Sequence, residues 1–229
     1  GLPRDSLPGL LVLGVCYTLQ SGTYFAAVRY IPLSVATLIL YSYPAFVCLL
    51  ARLVEHTRIS AATIAALVMS LAGVVLVLGS SWGGLNLTGV LLALAASLVY
   101  SVYITASNRL LRTIEPLSMS TFVSLFCAPA FAVFGWATGT LQFGFSSATW
   151  LWIAALIAVS TVGGILAFFG GLKRIGSTRA ALLSMVEPLF TIGFSVPLFG
   201  ETLGVRQLVG GALVLGGATW VTLARVGPV

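Results

Sequence analysis

Apolar residues in this chain come in long runs, and the polar residues gather in short stretches between them. There is no period-2 alternation sustained enough for strands. A run of about 20 apolar residues, at about 1.5 Å of helical rise each, spans the roughly 30 Å hydrocarbon core of a bilayer. The runs predict eight transmembrane helices, near residues 7–28, 34–54, 60–80, 88–107, 117–138, 149–171, 180–199 and 207–225. Breakers sit in the connections between them: Pro32, Gly83, Gly84, Pro116, Gly139 and Gly204. The pattern predicts an all-α polytopic membrane protein.

Composition supports that reading. The hydrophobic fraction is 59% and the charged fraction 7%, whereas soluble domains carry about a quarter charged residues. Lipid-facing atoms must be apolar, which accounts for the deficit. The basic residues report orientation. Arg4, Arg52, Arg58, Arg109, Arg112, Lys173, Arg174, Arg179 and Arg225 fall on one side of the predicted spans, and Arg29 and Arg206 on the other. By the positive-inside rule both termini are expected in the cytoplasm, and a bacterial inner membrane is the expected location. Trp82, Trp136 and Trp150 fall near the opposite ends, where interfacial tryptophans belong. The net charge of +6 is scattered rather than gathered in a patch, so it does not point to nucleic acid. Cys16, Cys48 and Cys127 lie inside apolar runs with no metal or disulfide spacing. They are read as small core residues, and no metal or other cofactor is implied.

A shift of 144 residues lays the chain over itself without gaps. Tyr24–Ile31 falls on Phe168–Ile175, and Ala36, Leu38, Pro44 and Phe46 fall on Ala180, Leu182, Pro188 and Phe190. Leu71 and Gly73 fall on Leu215 and Gly217. A fixed period marks a repeated structural unit, here of about five helices. Residues 83–229 would be one complete unit, and residues 1–82 the last three helices of another. Two full units need 288 residues, 59 more than the 229 present, so the chain is expected to lack the first two helices of a ten-helix fold. An odd helix count per unit makes equivalent helices cross the bilayer in opposite senses. Inverted repeats of this kind characterise secondary transporters, with the binding site near the midplane.

The stretch Ala180–Phe190, followed by Gly200, Glu201, Gln207, Gly210 and Gly211, resembles an EamA domain, the repeat unit of the drug/metabolite transporter superfamily. Tyr43-Pro44-Ala45-Phe46 and Glu55 form a weaker copy, with 11 positions from Pro44 to Glu55 against 13 from Pro188 to Glu201. The resemblance implies two inverted five-helix halves around a central cavity. It also implies export of amino acids, other metabolites or drugs, or exchange of nucleotide sugars and phosphorylated sugars.

Glu187 is the sharpest candidate for chemistry, being the one ionisable residue placed well inside a span. A carboxylate in hydrocarbon is costly and usually faces a cavity or a partner. Burial favours the protonated form of a carboxylate, which suits a group that binds and releases a coupling proton. Pro188 follows it and can kink the helix; Pro44 is its counterpart, and both are expected hinges. Ser184, Glu187 and Thr191 share one helical face. Tyr17, Gln20 and Tyr24 make a second polar face, Tyr100, Tyr103 and Ser107 a third, and Tyr41 and Tyr43 flank Ser42 before Pro44. Together they could line a wet, aromatic-walled substrate cavity. Taken singly, each such hydroxyl is more often a packing or back-bonding group. Arg29 and Lys173, equivalent in the repeat, are expected to snorkel to the interface. Gly210, Gly211, Gly216 and Gly217 make a small-residue face suited to close helix packing, including a homodimer contact. His56 is read as a solvated loop residue.

These features predict a secondary transporter that moves small polar or amphipathic molecules by alternating access, with possible proton coupling. An intramembrane enzyme lacks its nucleophile–base pair or metal ligands. A channel, or a receptor or assembly subunit, is the remaining alternative, and the repeat favours a carrier over both.

Overall fold

A computed structural model describes residues 6–31, 33–54, 56, 59–78, 86–187, 189–190 and 204–223. Among the described residues the regular structure is helical throughout, and strands are absent. The helices are α1 (Leu7–Ala27), α2 (Leu33–Leu40), α3 (Tyr43–Val54), α4 (Ala61–Leu78), α5 (Leu87–Leu110), α6 (Pro116–Ala137), α7 (Ser147–Leu156), α8 (Gly164–Ser184) and α9 (Val205–Leu223). A π-helical turn over Ile157–Gly163 joins α7 to α8. Among the described residues, four helical runs are long and apolar enough to cross a membrane: Leu7–Ala27, Leu87–Leu110, Pro116–Ala137 and Ser147–Ser184. Shorter apolar helices lie at Tyr43–Val54, Ala61–Leu76 and Leu208–Gly217. The protein is an integral, multi-pass membrane protein.

Two of the predicted spans are built differently from a single straight helix. The span predicted at 34–54 is two helices, α2 and α3, joined by a turn at Tyr41-Ser42. The loop expected after residue 171 is instead helix, and α8 carries its break at Gly176, with φ 79° and ψ 170°. That conformation is open only to glycine. Without the break, the 38-residue run would be roughly 57 Å long, nearly twice what a bilayer needs. Gly176 stands 144 residues after Pro32 in the repeat register. Glycine interrupts a helix there by its freedom at positive φ.

The chain forms two compact units, each made of two stretches: Gly1–Leu19 with Ala106–Gly176, and Gln20–Thr105 with Ser177–Val229. The units thus cut across the sequence repeat. In the first, α1 packs on α6 at Gly14, where an added Cβ would meet the ring of Phe126. The Thr18 hydroxyl reaches Cys127 Sγ at 3.5 Å, and Cys127 reaches the Gly14 carbonyl at 3.6 Å. Lys173, expected at the interface alone, pairs with Glu115 at 3.0 Å. Cys16, Cys48 and Cys127 are all free thiols.

The second unit contains a close helix crossing. A Cβ on Gly73 of α4 would lie 2.6 Å from the Gly210 carbonyl oxygen and 2.7 Å from Val214 Cγ2, both on α9. A Cβ on Gly217 of α9 would meet Ser70 Oγ and lie 2.8 Å from the Ala66 carbonyl oxygen, both on α4. Ala66, Ser70 and Gly73 are the residues that the 144 shift places on Gly210, Val214 and Gly217. The crossing is therefore pseudo-two-fold, each glycine seated on the partners equivalent to its counterpart's. The α9 glycines are packed closely inside the chain: a Cβ added to Gly216 would lie 3.3 Å from Met69 Cε, and one added to Gly211 3.2 Å from Leu189 Cδ2. A homodimer contact through these glycines would have to displace those neighbours.

Candidate functional site

The same shift relates the two broken turns through two matching backbone bonds, although Tyr41 donates four residues back to Thr37 and its counterpart Met185 three back to Leu182. In the first copy the Ser42 amide donates to the Ile39 carbonyl at 3.0 Å and the Ala45 amide to the Ser42 carbonyl at 3.0 Å. In the second the Val186 amide donates to Leu183 at 3.1 Å and the Leu189 amide to Val186 at 3.0 Å. In both, spacing tightens from four residues to three just ahead of a proline, which has no N–H to continue the ladder. The residue before each proline is Tyr43 in one copy and Glu187 in the other.

The two turns meet through these residues. Tyr43, buried, donates its hydroxyl to the Ala181 carbonyl at 3.3 Å and lies in hydrogen-bond contact with Ser184. Tyr41 donates its hydroxyl to the carboxylate of Glu187. Ser184 also bonds back to the Ala180 carbonyl at 2.9 Å. The Tyr41 side chain is buried, whereas Glu187 is exposed on the surface of the unit. Tyr100 and Tyr103 of α5 extend the aromatic wall: ring centroids are 6.4 Å apart for Tyr41–Tyr43, 4.7 Å for Tyr43–Tyr100 and 6.1 Å for Tyr100–Tyr103. The 69° angle of the Tyr43–Tyr100 pair is the edge-to-face geometry that aromatic quadrupoles favour.

Of the expected site residues, Tyr41, Tyr43, Tyr100, Tyr103, Ser184 and Glu187 therefore form one connected cluster. Tyr24 sits nearer the start of α2, its hydroxyl 2.7 Å from that of Thr37. Gln20 accepts from Ser21 beside it at 3.3 Å. Tyr17 belongs to the first unit, as does Ser107. Pro44 is the second residue of α3, so it starts that helix instead of bending it. Thr191 and the hinge candidate Pro188 lie outside the described residues, as do Glu55, Glu201 and Trp82. One polar pair was not foreseen: Ser42 and Ser97 join the turn to α5 at 3.0 Å. Both are serines in apolar runs, a signal too common to single them out. Among the described residues no group of His, Cys, Asp and Glu could hold a metal ion.

Comparison with known proteins gives this architecture its place. The model of the EamA-like transporter family matches residues 2–79 and 87–223. The chain belongs to the EamA-like transporter family. An Archaeoglobus fulgidus protein described as an uncharacterized transporter is 30% identical over 222 residues, which cover 95% of this chain and 76% of that protein. An aromatic amino acid exporter of Ancylobacter novellus is 29% identical over 83% of this chain and 69% of its own length. A probable amino-acid metabolite efflux pump of Salmonella typhimurium is 25% identical over 93% of this chain and 77% of its own. A protein of known crystal structure shares the fold, with a TM-score of 0.81, 25% identity, and coverage of 96% of this chain and 77% of that one. As an EamA-like protein the chain is a transporter and not an enzyme.

Proposed function

We propose that this EamA-like transporter is a carrier for small amphipathic metabolites of the amino-acid kind, working by alternating access, with Glu187 handling the coupling proton. The observation that carries the reading is the Tyr41–Glu187 hydrogen bond between two broken turns that share one backbone pattern across the repeat. Two equivalent, tightened turns facing each other are the parts a rocking carrier needs, since each can open by the same change of backbone. Substrate would lie along Tyr41, Tyr43, Tyr100, Tyr103, Ser184 and Glu187, with Tyr17, Gln20, Tyr24 and Thr191 further along its path. Pro44 and Pro188 would serve as hinges. The names of the Ancylobacter and Salmonella relatives support the substrate class. Residues 1–82 and 83–229 are read as parts of two inverted repeats, with both termini in the cytoplasm of a bacterium.

Reconstitution in liposomes tests this. Labelled phenylalanine or leucine should show saturable counterflow without ATP, and an imposed pH gradient should drive uptake. Glu187→Gln should keep the counterflow but lose the gradient-driven component. Unsaturable conductance would identify a channel instead, and gradient-driven uptake unchanged in Glu187→Gln would remove the coupling role.

A further inference from the structure

Within the second unit α4 meets α9, and the chain from Tyr41 through α3 meets residues 177–187. The two contacts are made differently. At the α4–α9 crossing backbone lies against backbone, with the Gly210 carbonyl oxygen 2.6 Å from a Cβ built on Gly73. Each partner there is a single helix, of 18 and 19 residues. Small-residue contact of this kind holds helices together in a bilayer by close packing, and it leaves little room to slide or rotate. The α3 contact is made by side chains. Its partners run in antiparallel order: Tyr41 with Glu187, Tyr43 with Ser184 and the Ala181 carbonyl, and Cys48 with Thr178. Hydroxyl and thiol bonds of this kind exchange for water at small net cost. The pieces they join are short and bounded by breaks. Residues 177–184 make roughly two turns of helix between Gly176, at φ 79°, and the turn at Met185-Val186. α3 starts at the turn at Tyr41-Ser42. A rigid piece between breaks can swing with the change confined to a few dihedrals.

We propose that the seam between α3 and residues 177–184 is the contact that parts and recloses in each transport cycle, while the α4–α9 crossing stays closed as the fixed joint. The proposal rests on the carrier reading above and says which contact between the copies moves. Cys48 reports on it with no alteration to the chain. It is 5% exposed in the closed seam, and a thiol reacts only when reagent can reach it. Cys127, 6% exposed at the α1–α6 contact, is the internal control.

The experiment labels the full chain in liposomes with N-ethylmaleimide and reads each cysteine by peptide mass spectrometry. A buried thiol reacts through local opening, so its rate follows the open population. Tyr43→Phe, which keeps the ring but drops its hydroxyl bonds, should raise the Cys48 rate roughly fivefold, the equilibrium weight of one such bond, and leave Cys127 unchanged. Thr178→Cys sets a second thiol against Cys48. Reduced, it should exchange labelled phenylalanine or leucine at the wild-type rate. Oxidised with copper phenanthroline, it should crosslink and lose exchange, and a reductant should restore it. Cys48 labelling unmoved by Tyr43→Phe, a pair that does not crosslink, or full exchange in the crosslinked protein each overturns the moving seam while leaving a carrier. Saturable exchange absent from wild type, in protein that is folded and monodisperse, overturns the carrier reading and the seam's part in transport with it.

Discussion

The α4–α9 crossing makes a quantitative demand on two glycines. An alanine methyl at Gly73 would sit 2.6 Å from a backbone oxygen and 2.9 Å from the Val214 amide nitrogen. Comfortable carbon contacts lie near 3.5 Å or beyond, so the deficit is close to an ångström, and neither backbone atom can swing aside. The helices must separate along the crossing. Overpacking of this kind costs about 1–3 kcal/mol. For a chain of this size each kcal/mol moves the melting midpoint by roughly 2–4 °C, so Gly73→Ala should melt several degrees below wild type. Gly217→Ala, against the Ala66 carbonyl and Ser70, should cost a similar amount. The double variant should cost less than the two together, because helices parted by one methyl already make room for the other. The control is Gly22→Ala in α1, where an added Cβ meets nothing within 4 Å. There the helix propensity of alanine should leave stability unchanged or raise it by up to about 1 kcal/mol. Thermal unfolding of wild type and the four variants in one detergent decides the matter. A Gly73→Ala midpoint equal to that of Gly22→Ala would refute the close, pseudo-two-fold crossing.

Three further outcomes follow from single residues. Gly176→Ala forces a Cβ into φ 79°, ψ 170° and should destabilise by about 1–3 kcal/mol, read as a lower unfolding midpoint. Tyr43→Phe should cost about 1 kcal/mol through the lost hydroxyl bond to Ala181, and a stability equal to wild type would show that the bond contributes nothing. Lys173→Ala should change stability by less than about 0.5 kcal/mol, because its pair with Glu115 is 36% and 76% exposed and solvent screens it. A loss of 2 kcal/mol or more would mean that this pair is shielded in the membrane.

Much of the fold was legible because a bilayer imposes one length scale. Apolar runs near 20 residues located α1, α4, α5, α6 and α9 to within a few residues. The repeat was legible too, from prolines and glycines that keep their register. What apolar periodicity could not reveal were the breaks inside spans. Tyr41-Ser42 and Met185-Val186 are turns, yet only Ser42 among the four is a turn former. The break is dictated by the proline that follows and is absorbed upstream of it. At Gly176 the opposite error occurred: a basic, glycine-containing stretch looked like a loop, and the helix runs through it to Ile175 because one residue suffices for the turn. The site was legible in kind but not in membership. Glu187 and its serine and tyrosine neighbours stand out by polarity in an apolar field. Whether Tyr17 or Tyr41 joins them depends on packing between distant segments, which a single sequence does not encode locally.

Where the two copies face each other they are matched in backbone and mismatched in chemistry, tyrosine at 43 and glutamate at 187. Strict repetition would place a second carboxylate within electrostatic reach of Glu187, which already acts on Tyr43. With a phenol in place of the second acid, the locus carries one carboxylate and so suits a single positive charge. If the proposed carrier couples to a cation at Glu187, a stoichiometry of one charge at a time would be written in the departure from symmetry and not in the symmetry itself.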